Sequence, residues 1–473
     1  MVSWSLPWEA VPVLLPLTGA VLTFLWPRQA AAVGLAVAAG IGISLAALVP
    51  EMTVGEGWRH PVGGWTAPLG IELHLDALAL IMLIMTALVG LGVSLHARVW
   101  FHGRQAARFW PLWLSLWAAL DALFLAADLF NLYVTMELIG LSAVAMVALA
   151  GGRGALEGAL RYLLVSLAGS LFYLLGVALL FHGFGTLDLA LLAQRADFTP
   201  PVMIALGVMA GGLLLKTALF PLHFWLPDAH ASAPAPVSAV LSALVVKASF
   251  YVLLRLWLAL VPAGVAPGPG LLLGGLGVAA VFWGGFQALR QSRLKPMVAY
   301  STVAQVGYLF LAFPIATAAG WRAAILLLLA HALAKAAMFL AAGNLLRHAG
   351  HDRIAGLDRI PQRLPLTITA FALAGVSLMG LPPSGGFVGK WMLMEAAMAA
   401  GQWWWALVPL LGGLLTAAYV FRVIGHAFTP APPGPVARSI DSRLEWAALS
   451  LAVLAVLSGM LAFWPLGWLE GWP

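Results

Sequence analysis

The sequence predicts an all-α polytopic membrane protein of about 14 transmembrane helices, containing two inverted five-helix repeats that each carry a broken helix. Three observations predict it. The 473-residue chain is 62% hydrophobic and only 9% charged, where a soluble domain carries about 25% charged residues. Apolar runs of spanning length recur from end to end. The loops between them alternate between Lys/Arg-rich and Lys/Arg-poor. The formal net charge of +6 then reports topology, and no nucleic-acid partner is expected. The absence of cysteine excludes disulfides, thiolate metal sites and cysteine-held iron–sulfur clusters in this chain. The N-terminal peptide lacks the basic region of a secretory signal, so the first apolar segment is expected to be retained.

The fourteen expected spans lie near 8–26, 29–50, 75–98, 109–127, 129–150, 160–182, 202–225, 235–259, 270–290, 297–318, 322–346, 366–398, 403–428 and 445–470. Fifteen Lys/Arg fall in alternate loops: Arg28; Arg98, Arg104 and Arg108; Arg153 and Arg161; Arg290, Arg293 and Lys295; Arg347, Arg353, Arg359 and Arg363; Arg438 and Arg443. The opposite loops hold only Arg59, Arg195 and Arg322, beside Glu51, Glu56, Glu72, Asp188 and Asp197. The positive-inside rule makes the first set cytoplasmic and puts both termini on the outer side of a bacterial or archaeal cell (inner) membrane.

Two spans read as broken. The span 366–398 is too long for a core of about 30 Å and carries Gly380-Leu381-Pro382-Pro383-Ser384-Gly385-Gly386, which removes backbone donors and lets the chain bend. The span 202–225 carries Pro221. Each break has a lysine close by, Lys216 and Lys390, five spans apart. An odd-numbered unit followed directly by its copy must be inverted in the membrane. The expected units are therefore 1–108 (helices 1–3), 109–260 (first repeat), 268–430 (second, inverted repeat) and 431–473 (helix 14).

Four of the five lysines, Lys216, Lys247, Lys335 and Lys390, sit inside apolar runs, as does Glu137. Each such charge costs roughly 2.5–3.5 kcal/mol at the bilayer centre, so a set of them calls for ion or proton movement. Snorkelling to the interface competes with that reading but works only within a turn or two of a helix end. Structural ion pairing also competes, yet four lysines against one central glutamate do not balance. His331 shares a helix face with Lys335 one turn away, a relay candidate. His223 and His230 flank Trp225-Leu226-Pro227-Asp228, where capping and proton entry are equal readings. Asp121 and Asp128 bracket the fourth and fifth spans at an expected interface, and Glu395 is either a partner of Lys390 or interfacial. His348, His351 and Asp352 lack the further ligands of a metal site and read as a solvated loop. No P-loop is present, no strands are expected, and the 21 tryptophans read as interfacial belts and lipid-facing surface. No cofactor and no metal is expected.

Several stretches then point to a family. Asp128-Leu129-Phe130-Asn131-Leu132-Tyr133-Val134 running into Glu137, Lys216 through His230, Leu294-Lys295-Pro296-Met297-Val298-Ala299-Tyr300-Ser301-Thr302, His331 through Ala336, and Gly380-Leu381-Pro382-Pro383 through Lys390-Trp391 occur in order. They resemble the antiporter-like, proton-translocating subunits shared by Mrp-type cation/proton antiporters, respiratory complex I and membrane-bound hydrogenases, over roughly residues 70–430. The wording around Asp128 looks most like the D-type Mrp subunit. The resemblance implies a proton pathway through Glu137, Lys216, Lys247, His331, Lys335 and Lys390, with His223, His230, Asp128 and Glu395 as accessory candidates. It implies other membrane subunits, the lipid bilayer, protons and, as a second cargo, sodium as partners. It implies transport rather than enzymatic catalysis, unless redox partners make the chain part of a redox translocase. One departure is Gln305, where some relatives carry a histidine.

Overall fold

The computed structural model describes residues 8–51, 57–195, 197–265, 267–429 and 438–471. The N-terminal peptide 1–7 and Glu56, both read above, lie outside the described residues. Among the described residues, eleven helices are long and apolar enough to cross a membrane. Shorter apolar helices include Val11–Leu25 and Pro365–Met379, and the second of these is followed directly by Gly385–Ala399. This is a multi-pass helical membrane protein.

Burial sorts the helices. The most apolar stretches of Ala235–Leu260 and Ala318–Ala349 are wholly buried, and that of Leu294–Ile315 nearly so. In Ala30–Leu48, Pro200–Thr217 and Ser442–Met460 only 39% of the equivalent stretch is buried. The exposed set forms the apolar, lipid-compatible periphery. The buried set forms a centre in which any charged side chain lies far from the surface.

Local chemistry sets the helix ends. Asp76 accepts from the Ala79 amide at 2.8 Å, and Thr317 and Ser384 cap their helices through Gly320 and Phe387. Helix Pro200–Thr217 stops where Ala218 takes φ +57° and Pro221 lacks an N–H. The chain turns and resumes as helix Leu226–Ser232. Helix Pro365–Met379 stops at Gly380, φ +83°, a conformation suited to glycine. The Ser384 cap then starts Gly385–Ala399. Both breaks thus fall where Pro221 and Gly380–Pro383 placed them.

Several expectations are corrected. An antiparallel pair of short strands, Trp58–Pro61 with Glu72–Leu75, does exist. It lies outside the apolar runs, and Arg59 ties it to Asp188 at 2.9 Å. Arg104, Arg108, Arg153 and Arg161 are not in loops: helices Gly103–Leu125 and Gly152–Phe184 begin well before their apolar windows. Lys295, expected in a loop, is buried in the first turn of its helix, its ammonium donating to the carbonyls of Ala231 and Ala233. Asp121 is fully buried within its helix rather than interfacial. His348 is buried at the end of Ala318–Ala349, its Nδ1 2.6 Å from the Arg438 carbonyl. Not all tryptophans face lipid: Trp110, Trp113 and Trp117 are buried, seated against Gly34 and Gly90 and, for Trp113, donating to Ser94 at 3.0 Å. Helix periodicity turned these three indoles inward, which composition alone does not reveal.

Candidate functional site

Glu137 and Lys216 meet between helices Leu129–Ala148 and Pro200–Thr217, with Nζ 3.6 Å from Oε1. The lysine occupies the last turn before the break. A third helix, Gly152–Phe184, supplies two hydroxyls: Ser170 donates to the Glu137 carboxylate, and the Lys216 ammonium donates to Ser166 at 3.1 Å. This helix can pass so close because Gly169 lies against Gly212, where a Cβ on either would strike the other's carbonyl. Side chains of Glu137 and Lys216 remain 21% and 10% exposed, so the pair stands at the edge of the buried centre. Beside Lys216 is a cavity of about 20 Å³, reaching Val245, Ala248 and Ser249 on the next helix. That is room for a water molecule.

Lys247 is fully buried. It follows a single π-helical turn, Leu241–Val245, a feature often found at functional sites. Its ammonium donates to the carbonyl of Ser242, five residues back. The Ser242 hydroxyl meets Thr302 Oγ1 at 2.8 Å, and Thr302 donates to the Val298 carbonyl at 3.2 Å. That same carbonyl receives the Lys335 ammonium at 2.5 Å. Lys247 and Lys335 are therefore joined through successive polar contacts on three buried helices.

Lys335 is fully buried as well. It donates to Ser301 Oγ at 2.5 Å and lies 5.3 Å from the centre of the Phe339 ring. His331 is buried one turn before Lys335, and neither ring nitrogen has a partner among the described residues. His230 is buried against Phe339, ring centres 4.6 Å apart, and its ring nitrogens are likewise unpaired. It caps nothing. His223 packs its ring on Phe220 at 5.6 Å.

Lys390 folds back onto the second break, donating to the carbonyls of Leu378 at 2.7 Å and Met379 at 3.2 Å. It lies 4.5 Å above the Tyr308 ring. Gln305 donates to the same Leu378 carbonyl at 3.1 Å and to Thr416 at 3.3 Å. The break exposes carbonyls that an intact helix would use, and the two side chains satisfy them.

Two accessory candidates stand apart. Glu395 is on the exposed face of its helix and forms no ion pair among the described residues. Asp128 caps Leu129–Ala148, accepting from the amides of Phe130 and Asn131. Sequence reasoning missed the hydroxyls of Ser166, Ser170, Ser242, Ser301 and Thr302. Their one signal was a serine or threonine inside an apolar run, which usually means only a bond to the preceding turn.

Comparison with known proteins agrees with this architecture. The family model described as NADH:quinone oxidoreductase/Mrp antiporter, TM matches residues 126–416. The NADH-quinone oxidoreductase subunit N of Desulforudis audaxviator (strain MP104C) is 40% identical over 400 residues, covering 83% of this chain and 80% of that protein. The D-type subunit of the Na(+)/H(+) antiporter of Bacillus subtilis (strain 168) is 29% identical over 466 residues, covering 96% and 94%. A chain in the structure of the Mrp complex from Dietzia sp. DQ12-45-1b matches with a TM-score of 0.91 at 26% identity, over 99% of this chain and 97% of that one. The chain belongs to the NADH:quinone oxidoreductase/Mrp antiporter transmembrane family.

Proposed function

We propose that this protein is the proton-translocating membrane subunit of a multisubunit cation/proton antiporter, with sodium as the cation of the complex. One observation carries the transport reading: the Glu137–Lys216 pair at the edge of the buried centre, and Lys247, Lys335 and Lys390 within it, are each held by hydroxyls or backbone carbonyls. Such groups are expensive in an apolar interior and accumulate on ion paths. Glu137 and Lys216 serve the first break, Lys247, His331 and Lys335 the centre, and Lys390 the second break. Fourteen crossings, ten of them in two inverted five-helix units, would place the breaks on opposite sides of the membrane, with both termini outside. The near full-length match to a D-type antiporter subunit supports the antiporter assignment.

A second reading has its own support. The 40% identity to a NADH-quinone oxidoreductase subunit N favours a redox-driven complex. The two readings differ in what drives the protons, and electrons would travel in other subunits. The complex purified through this chain in mild detergent and reconstituted in liposomes with a pH-sensitive dye tests both. An imposed sodium gradient that moves protons supports the antiporter. Movement only on addition of an electron donor and acceptor, with iron–sulfur or flavin subunits co-purifying, replaces it with the redox complex. Movement under neither condition refutes proton translocation by this chain.

A further inference from the structure

Polar contacts step from residue to residue from Lys247 to Lys335 and on to Ser301, and from Lys390 back to Gln305 and Thr416. Between Ser301 and the Gln305–Thr416 pair they stop. Gln305 is four residues beyond Ser301, one helix turn on, and an amide does not titrate. Tyr419 stands at this gap. It is fully buried, it comes from helix Trp403–Phe428 one turn after Thr416, and its hydroxyl has no hydrogen-bond partner among the described residues. Gly412 of that helix faces Tyr308, and Thr416 meets Gln305 at 3.3 Å; the two helices therefore run antiparallel, which sets Tyr419, one turn beyond Thr416, opposite Ser301, one turn before Gln305. A second buried hydroxyl without a partner among the described residues, that of Tyr308, occupies space kept open by Gly412, one turn before Thr416. Orphaned buried hydroxyls are rare because leaving one unpaired costs about 1–3 kcal/mol. Packing alone would be served by phenylalanine.

We propose that the Tyr419 hydroxyl is the relay that joins Lys335 to Lys390, a role that rests on the proton-translocating function above. The Lys335 ammonium gives a proton to Ser301, which passes one to Tyr419. The Tyr419 O–H bond breaks toward Thr416 and an intervening water as a new O–H bond forms from the Ser301 side. The Lys390 amine takes the proton delivered there. Lys335 ends as an amine, Lys390 as an ammonium, and the phenol is regenerated with no net charge. Tyr308 supports the far end, its ring beneath the Lys390 ammonium.

The test is proton flux by the intact reconstituted complex. Tyr419→Phe deletes one oxygen and keeps the ring; flux is expected to fall about 10²-fold, the scale of a positioned proton-transfer group, with the complex assembled. Adding Gln305→His to Tyr419→Phe puts a titratable ring on the same helix face and is expected to recover at least about tenfold of the loss. A purely structural role would show no such recovery. Flux within about twofold of wild type in Tyr419→Phe, or a loss that Gln305→His leaves untouched, overturns the relay. If Tyr419→Phe does not assemble, the near-isosteric Thr416→Val interrupts the same link, and normal flux there overturns it equally. Glu137→Gln is run in parallel. Full flux in that variant means the translocation reading has failed, whereas loss in Glu137→Gln with normal flux in Tyr419→Phe removes the relay alone.

Discussion

Replacing Lys247 by methionine separates holding the structure from carrying charge. Methionine fits the lysine stem, so the perturbation is the loss of an ammonium that donates to the Ser242 carbonyl within the π-turn. Losing that donation costs about 1–3 kcal/mol. Removing a buried cation returns several kcal/mol of desolvation. The two roughly cancel, so the complex should assemble and melt within a few degrees of wild type. Transport responds differently. Without a carrier at that depth, a charge pays at least about 2.5–3.5 kcal/mol. With about 1.36 kcal/mol per factor of ten, flux falls between about 70- and 400-fold. The assay is dye-detected proton flux in liposomes, with native electrophoresis reporting assembly. Flux within about twofold of wild type in an assembled Lys247→Met complex would refute the reasoning.

Other outcomes follow from the same geometry. Lys390→Glu sets a carboxylate against two carbonyls and an aromatic face; transport should be lost with a stability penalty of about 1–3 kcal/mol, read as flux and melting temperature, whereas a working variant would mean this break tolerates either charge. Gly386→Ala drives a Cβ into the Ser377 carbonyl where the two half-helices pass; overpacking of about 1–3 kcal/mol should lower the amount of assembled complex, and normal yield would contradict that contact. Asp128→Ala removes a helix cap, costing about 1 kcal/mol, and should leave flux per assembled complex near wild type; a selective loss of flux would put Asp128 on the path.

The sequence made some of this legible because burial of a charge is costly enough to leave a mark in one dimension. Lys216, Lys247, Lys335 and Lys390 stood out against apolar neighbours, and the structure buries all four within the centre or at its edge. Pro221 and Gly380 marked the breaks because a missing donor and a positive φ are local properties. What joins the lysines was not legible. Ser242 and Thr302 meet across sixty residues, and Thr416 reaches Gln305 from another helix. A hydroxyl in an apolar run looks the same whether it bonds its own turn or a distant lysine. The π-turn ahead of Lys247 left no mark, since Leu241–Val245 is an ordinary apolar run. For Glu395 the spacing from Lys390 left a partner and an interfacial position equally open, and only the rotation of the helix, which turns it outward, decides between them.

The most direct test of proton passage through the Glu137–Lys216 pair is proton flux by the purified complex carrying Glu137→Gln or Lys216→Met. At 3.6 Å, with hydroxyls from a third helix on both sides, the two groups act as one unit. Either substitution alone should therefore abolish flux, to below about 1% of wild type, while the complex stays assembled. Wild-type flux in either assembled variant would contradict the account.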